Sequence, residues 1–141
     1  MKNPEENKMK KQKYFWVVRR VRRRVSLRGT KKDYLKYKDQ AMALAQNRIE
    51  YFNKIYGLKY NKINIKNQKT RWGSCSKKGN LNFNYKIALL PERLADYIIV
   101  HELCHLKEFN HGQKFWNLVA KAVPEYSKLK RGLKITQVLP V

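Results

Sequence analysis

Residues 91–109 read PERLADYIIVHELCHLKEF and set the arrangement of the rest of the chain. Pro91 suits the first turn of a helix, where its missing N–H costs no hydrogen bond. Ile99, Leu103 and Leu106 recur at three- and four-residue steps and form an apolar stripe. We therefore predict a helix from Pro91 to about Phe109, with this stripe packed against the core.

The predicted helix carries the pattern H-E-x-x-H at His101, Glu102 and His105. Residues four apart on a helix lie about 40° apart round its axis, so both imidazoles can reach one ion at about 2.0–2.1 Å. Glu102 then lies close enough to act on a metal-activated water without binding the metal itself. The pattern predicts a metal site with Glu102 as its general base.

The third histidine of the chain, His111, follows His105 by six residues. A chain reversal at Asn110 and Gly112 would bring it back to the ion. Three protein ligands leave a fourth position open, as in catalytic zinc sites, whereas structural sites usually have four Cys or His ligands. We predict that His101, His105 and His111 hold one Zn²⁺.

Other polar residues near the motif have less defined roles. Glu108, Asp96 and Asn110 are candidates to accept an imidazole N–H, although each of these residue types is more often simply a helix-surface or loop residue. Cys104 is predicted to be a small buried apolar residue rather than a ligand or nucleophile. With only Cys75 as a second cysteine, no disulfide framework is expected.

A long amphipathic helix is predicted ahead of this segment, from Asp33 to Tyr56, with Gly57 positioned to end it. Its inward-facing residues are predicted to be Leu35, Met42, Ala45, Ile49, Phe52 and Tyr56.

Two short runs between these helices alternate polar and apolar residues, as half-buried strands do: 63–65 and 81–85. Turn-forming residues fill 73–80 between them. We predict two or three short antiparallel strands here.

Two further helices are predicted after the histidine motif. The first begins near Gly112 and ends before Pro124, and the second spans 125–131 and ends at Gly132. The inward-facing residues of the first are predicted to be Phe115, Val119 and Ala122.

Composition suggests one domain, because 141 residues, 43% of them hydrophobic, support one core. We divide the chain into a basic, partly flexible segment, 1–31, and a folded domain, 32–141. The net charge of +23 predicts attraction to polyanions, with nucleic acid as a candidate partner. The basic residues proposed to contact it are Arg19, Arg20, Arg22, Arg23, Arg24 and Arg28.

No signal-like start and no apolar run of about 20 residues is present, so we expect a cytoplasmic protein with no membrane partner. The sequence leaves the oligomeric state open.

Three groups of residues together resemble the YgjP-like metallopeptidases, relatives of SprT-like and other zincin-type proteases. They are TRWGSCS at 70–76, GNLNFN at 79–84, and HELCH at 101–105 followed by HGQKFW at 111–116. The resemblance covers about residues 34–131. It implies a minimal α+β zincin fold and a zinc peptidase with His101, His105 and His111 as ligands and Glu102 as the catalytic acid and base.

The chain departs from its apparent relatives in two places. Its N-terminal region is short and basic where family members commonly have a longer β-rich region. The spacing of the third histidine matches that of metzincins, but their glycine three residues after the second histidine is Glu108 here.

By analogy with zincins, one strand is expected to hold the substrate backbone by strand addition, and 81–85 is our candidate. Residues 71–75 are interpreted as a scaffold for the site, with Trp72 as a packing anchor.

These observations predict a zinc-dependent metallopeptidase acting on protein or peptide substrates. One alternative is a three-histidine RNA-processing protein, which has the pattern H-G-x-x-H where this chain has Glu102. Another is a nucleic-acid-binding module that retains a zinc site.

Overall fold

The structure is a computed structural model and describes residues 29–136. It contains four α-helices, one 3₁₀ helix and three strands in this part of the chain, so the predicted α+β class is confirmed. In chain order they are α1 (Lys31–Tyr56), β1 (Lys62–Lys66), β2 (Gly73–Cys75), β3 (Asn80–Asn84), the 3₁₀ helix (Tyr85–Leu89), α2 (Glu92–Cys104), α3 (Gln113–Ala122) and α4 (Tyr126–Thr136). Most of the predicted basic segment, including its six named arginines, lies outside the described residues.

Helix α1 begins and ends at residues suited to those positions. The Thr30 hydroxyl accepts a hydrogen bond from the Asp33 N–H at 3.1 Å. Gly57 has a φ of 60° and ends the helix as predicted, donating its N–H to the Asn53 carbonyl. Leu35, predicted to face inward, is 49% exposed because it lies off the stripe that packs on the core. That stripe consists of Ala41, Ala45, Ile49 and Phe52.

The three strands form one sheet in the order β1-β3-β2. Strands β2 and β3 are antiparallel, as predicted, but β1 and β3 are parallel, which corrects the prediction for that pair. Segment 73–75, predicted as turn, is strand β2.

Strands β1 and β3 are parallel because connection 67–72 crosses the end of β3 and places β2 on its far side. Strand β3 then occupies the position between β1 and β2. Asn84 fixes this crossing with its side-chain amide, which donates to the carbonyls of Gln68 at 3.0 Å and Arg71 at 3.3 Å.

Helix α2 begins after Pro91, as predicted, but ends at Cys104 rather than near Phe109. It ends early because the chain turns at residues 105–107, where His105 already bonds to the backbone ahead of it. A bidentate ion pair ties α2 to α1, with Arg48 Nε 2.7 Å from Asp96 Oδ1 and Arg48 Nη2 2.9 Å from Asp96 Oδ2.

Helices α3 and α4 complete the fold. Phe115 and Val119 of α3 are buried, as predicted, whereas Ala122 is half-buried. Gly132 was predicted to end the last helix but lies inside α4, where a Cβ on it would meet Leu94 at an ordinary 3.6 Å. No helix within residues 29–136 combines the length and apolarity that a bilayer span requires.

Candidate metal centre

The three histidines of the chain lie together at the carboxyl end of α2. His101 is on the last turn of α2, His105 caps it, and His111 returns from the loop that leads into α3. The Nε2 atom of His105 is 3.1 Å from that of His101 and 3.0 Å from that of His111, and the third separation is 3.2 Å. The structure therefore brings together the three residues predicted to bind the metal.

The geometry of the three nitrogens fits one tetrahedral ion. Metal–nitrogen bonds of 2.0–2.1 Å at tetrahedral angles place the nitrogens about 3.3–3.4 Å apart. The His105 Nδ1 lies 2.9 Å from the Glu108 carbonyl oxygen, which can only accept, so Nδ1 carries the proton and Nε2 has a free lone pair. Three nitrogens this close cannot all be satisfied by hydrogen bonds to one another, whereas a cation satisfies all three.

Aromatic residues hold the imidazoles in place. Phe115 stacks on His105 with ring centroids 4.4 Å apart, and Trp116 stacks on His111 at 5.9 Å. The Trp116 indole N–H also donates to the His111 carbonyl at 3.1 Å. Helix α3 thus packs against the site with two consecutive side chains.

Tyr97, one turn before His101, has its hydroxyl 3.4 Å from His101 Nδ1. If Nε2 held an ion, Nδ1 would donate and the hydroxyl would accept. The sequence reasoning missed Tyr97, although its position four residues before a candidate ligand on a helix was a usable signal.

The electrostatics of the site favour neutral imidazoles. Burial, together with the smaller effects of His105, His111 and Lys130, lowers the pKa of His101 to about 3. Burial also lowers the pKa of His105. Near neutral pH these rings are therefore unprotonated and available as ligands.

Glu102 lies on the adjacent face of α2 and is 7% exposed. Burial raises the pKa of its carboxyl to about 8, and the positive charge of Arg71 partly opposes this shift. Strand β2 approaches closely because Gly73 has no side chain: a Cβ there would lie 2.9 Å from Glu102 Cγ. This contact explains why a glycine stands within the scaffold predicted for 71–75.

The remaining candidates fall outside the site or contribute differently. Asp96 pairs with Arg48, and Glu108 contributes its backbone carbonyl rather than its carboxylate. Asn110 is exposed. Cys104 is buried as predicted, and burial raises the pKa of its thiol to about 12, which does not suit a nucleophile. Both cysteines are free.

Segment 81–85 cannot accept a substrate strand, because β3 is the central strand and both of its edges are paired. The edge strand next to α2 is β2. Trp72, just before β2, belongs to the buried core, in agreement with its interpretation as a packing anchor.

Comparison with curated proteins finds a relative in Escherichia coli (strain K12), a UTP pyrophosphatase, which is 33% identical over 86 residues. The match covers 60% of this chain and 51% of the relative, so the chain spans about half the length of that protein.

Two solved structures are similar to the described fold. The metallopeptidase zymogen of Pyrococcus abyssi abylysin has a TM-score of 0.60 and 26% identity, covering 69% of this chain and 99% of its own. That of Methanocaldococcus jannaschii jannalysin has a TM-score of 0.51 and 28% identity, covering 69% and 94%.

The family model described as "YgjP-like, metallopeptidase domain" matches residues 2–136, nearly the whole chain. The match includes the long helix, the small sheet and the histidine cluster, which are the features of the predicted resemblance. The protein therefore belongs to the YgjP-like metallopeptidase family.

Proposed function

We propose that the protein is a zinc-dependent peptidase in which His101, His105 and His111 hold one ion and Glu102 is the general base. The observation that carries this proposal is the convergence of three Nε2 atoms, 3.0–3.2 Å apart, at the end of the helix that also carries the buried Glu102. Membership of a metallopeptidase family supports it. Three imidazole nitrogens with an open fourth position are typical of catalytic zinc.

A bound zinc ion would supply Lewis-acid activation of a water molecule and of the substrate carbonyl. Glu102 takes a proton from the attacking water and delivers it to the leaving amine. A carboxyl group whose pKa is raised towards neutrality suits both transfers, because it can accept and release a proton at the working pH. The histidines would move no proton, since their Nε2 atoms would hold the ion.

Strand β2 is the better candidate for holding the substrate in extended form. In the described part of the chain it has β3 as its one partner strand, and it packs against α2. A peptide paired with the outer edge of β2 would pass the metal centre. This proposal replaces segment 81–85.

A second candidate function is hydrolysis of a nucleoside triphosphate, the activity named for the relative from Escherichia coli. Two exposed cations beside the site, Arg71 and Lys130, favour a phosphorylated substrate. Nucleic-acid binding by the six N-terminal arginines remains a prediction, because those residues lie outside the described part of the chain.

The deciding experiment measures the zinc content and activity of wild type, His111→Ala and Glu102→Gln. We expect about one zinc per wild-type chain, little in His111→Ala, and full zinc without peptide cleavage in Glu102→Gln. Glu108→Gln is the matched control and should retain both. Hydrolysis of UTP with every peptide left intact would replace the peptidase proposal by the second candidate.

A further inference from the structure

A lysine lies one aromatic ring away from the metal centre. The Nζ atom of Lys130, on α4, is 4.7 Å from the centre of the Trp116 ring. That ring is 6.0 Å from the His101 ring and 5.9 Å from the His111 ring. Lys130 is exposed, and its positive charge contributes to lowering the pKa of His101.

An arginine lies near Glu102. Arg71 is exposed and stands two residues before Gly73, which contacts Glu102. Its carbonyl accepts a hydrogen bond from the buried Asn84 side chain, so the backbone position is fixed. Its guanidinium charge acts on the Glu102 carboxyl.

Neither cation has an acidic partner among residues 29–136. The ion pairs of this part of the chain are Arg48–Asp96 and Arg93–Glu125. A metal dication held by the three histidines would add charge of the same sign, and an anionic substrate would offset it.

Packing explains only part of this arrangement. The apolar stem of a lysine commonly covers an aromatic face while its ammonium stays in water, which accounts for Lys130 on Trp116. It does not account for a second unpaired cation beside Glu102. The two charges lie near the histidine cluster and Glu102, one on the connection before β2 and one on α4.

We propose that Arg71 and Lys130 select peptides that carry acidic side chains near the bond to be cleaved. This inference rests on the proposed peptidase function and assigns its substrate class. The ion pairs of Arg71 and Lys130 with such a peptide would be exposed to solvent. Each would therefore add modestly to the binding free energy and would weaken as the salt concentration is raised.

The test measures binding separately from cleavage. A fluorescent peptide with Asp and Glu around its central bond is compared, by anisotropy, with the same peptide carrying Asn and Gln. The protein is zinc-loaded Glu102→Gln, which should bind without cleaving. We expect the acidic peptide to bind about tenfold more tightly at low salt.

Adding Arg71→Gln or Lys130→Gln should each reduce this preference about three- to fivefold. Lys69→Gln, in the same connection as Arg71, and Lys128→Gln, on the same helix as Lys130, are the matched controls and should leave it unchanged. A preference that survives both test substitutions, or that falls equally in the controls, overturns the inference.

Cleavage by wild-type protein tests the preference for acidic peptides separately from the peptidase function. If both peptides are cleaved at the same rate and bind equally, the inference fails and the peptidase function stands. If neither peptide is cleaved while UTP displaces the acidic peptide and is hydrolysed, the peptidase function fails, and the acidic-peptide assignment fails with it.

Discussion

Gly73 lies directly against Glu102: a Cβ built on the glycine would be 2.9 Å from Glu102 Cγ and 2.9 Å from the Asn82 carbonyl oxygen. The second contact is with backbone in the central strand, which cannot move without disturbing the sheet. The absence of a side chain at residue 73 therefore sets how closely β2 approaches α2.

We expect Gly73→Ala to reduce the free energy of unfolding by about 1–3 kcal/mol and to lower peptide cleavage, because Glu102 and β2 must separate. Denaturant titration and a peptidase assay measure the two effects. Gly132→Ala is the matched control. It should stabilise the protein by about 0.5–1 kcal/mol, since alanine is favoured inside a helix and its Cβ meets Leu94 at 3.6 Å. Wild-type stability in Gly73→Ala would contradict the argument.

The Glu102 carboxyl should make the metal-free protein less stable as pH rises. Its pKa is about 8 in the folded state and 4.5 ordinarily, so the folded protein holds this proton more strongly than the unfolded chain. The resulting stability is complete below pH 4.5 and is lost as pH rises through 8.

Glu102→Gln removes this dependence. The free energy of unfolding is measured in the presence of a chelator at about pH 6 and about pH 9. Relative to wild type, that of the variant should be about 1–3 kcal/mol higher at the higher pH than at the lower. Comparing the two proteins cancels the titration of the other groups. An equal difference at both pH values would show that the carboxyl is not held neutral by burial.

The ion pair between α1 and α2 should matter for stability. Asp96→Asn should cost about 2–3 kcal/mol, because the Asp96 side chain is 3% exposed and Arg48 would lose its partner. Glu125→Gln breaks the exposed pair with Arg93 and should cost less than about 1 kcal/mol. Chemical denaturation compares them. Equal losses would place the Arg48–Asp96 pair among ordinary surface contacts.

Tyr97→Phe should weaken zinc binding about three- to tenfold, because His101 Nδ1 loses the oxygen that orients it. The contact is long, at 3.4 Å, so the effect should lie at the low end for such partners. Competition with a zinc chelator measures it. Tyr51→Phe, on an exposed residue of α1, should bind zinc like wild type. Identical affinities for the two variants would remove Tyr97 from the site.

Much of the helical structure could be predicted because its signals are local. Each signal depends only on the backbone near it. These signals are the apolar stripe from Ala41 to Phe52, the left-handed Gly57, and Pro91 at the start of α2. The histidine cluster could also be predicted, since two members share a helix face and the third follows six residues later.

The sheet was less predictable because its order depends on contacts between distant residues. Strand β2 is three residues long and lies within a run of turn formers, so its pattern carries no alternation. Its strand character comes from pairing with β3, at Gly73–Phe83 and Cys75–Leu81. The parallel β1–β3 pair likewise depends on the crossing held by Asn84.

The early end of α2 has a similar explanation. Leu106 continues the apolar periodicity, so the sequence pattern extends the helix past His105. The backbone instead turns, and the Glu108 carbonyl meets the His105 ring at 2.9 Å. A ligand-orienting contact replaces the helical hydrogen bonds that the pattern predicts.

The strand order β1-β3-β2 has a consequence for how the protein is made. β3 is the last of these strands to leave the ribosome, yet it lies between the other two. A nascent chain that ends before Asn80 therefore contains two strands with nothing to pair with, and the sheet closes only when β3 inserts between them. Because Gly73 reaches Glu102 from β2, the proposed general base acquires its surroundings only after that closure, late in folding.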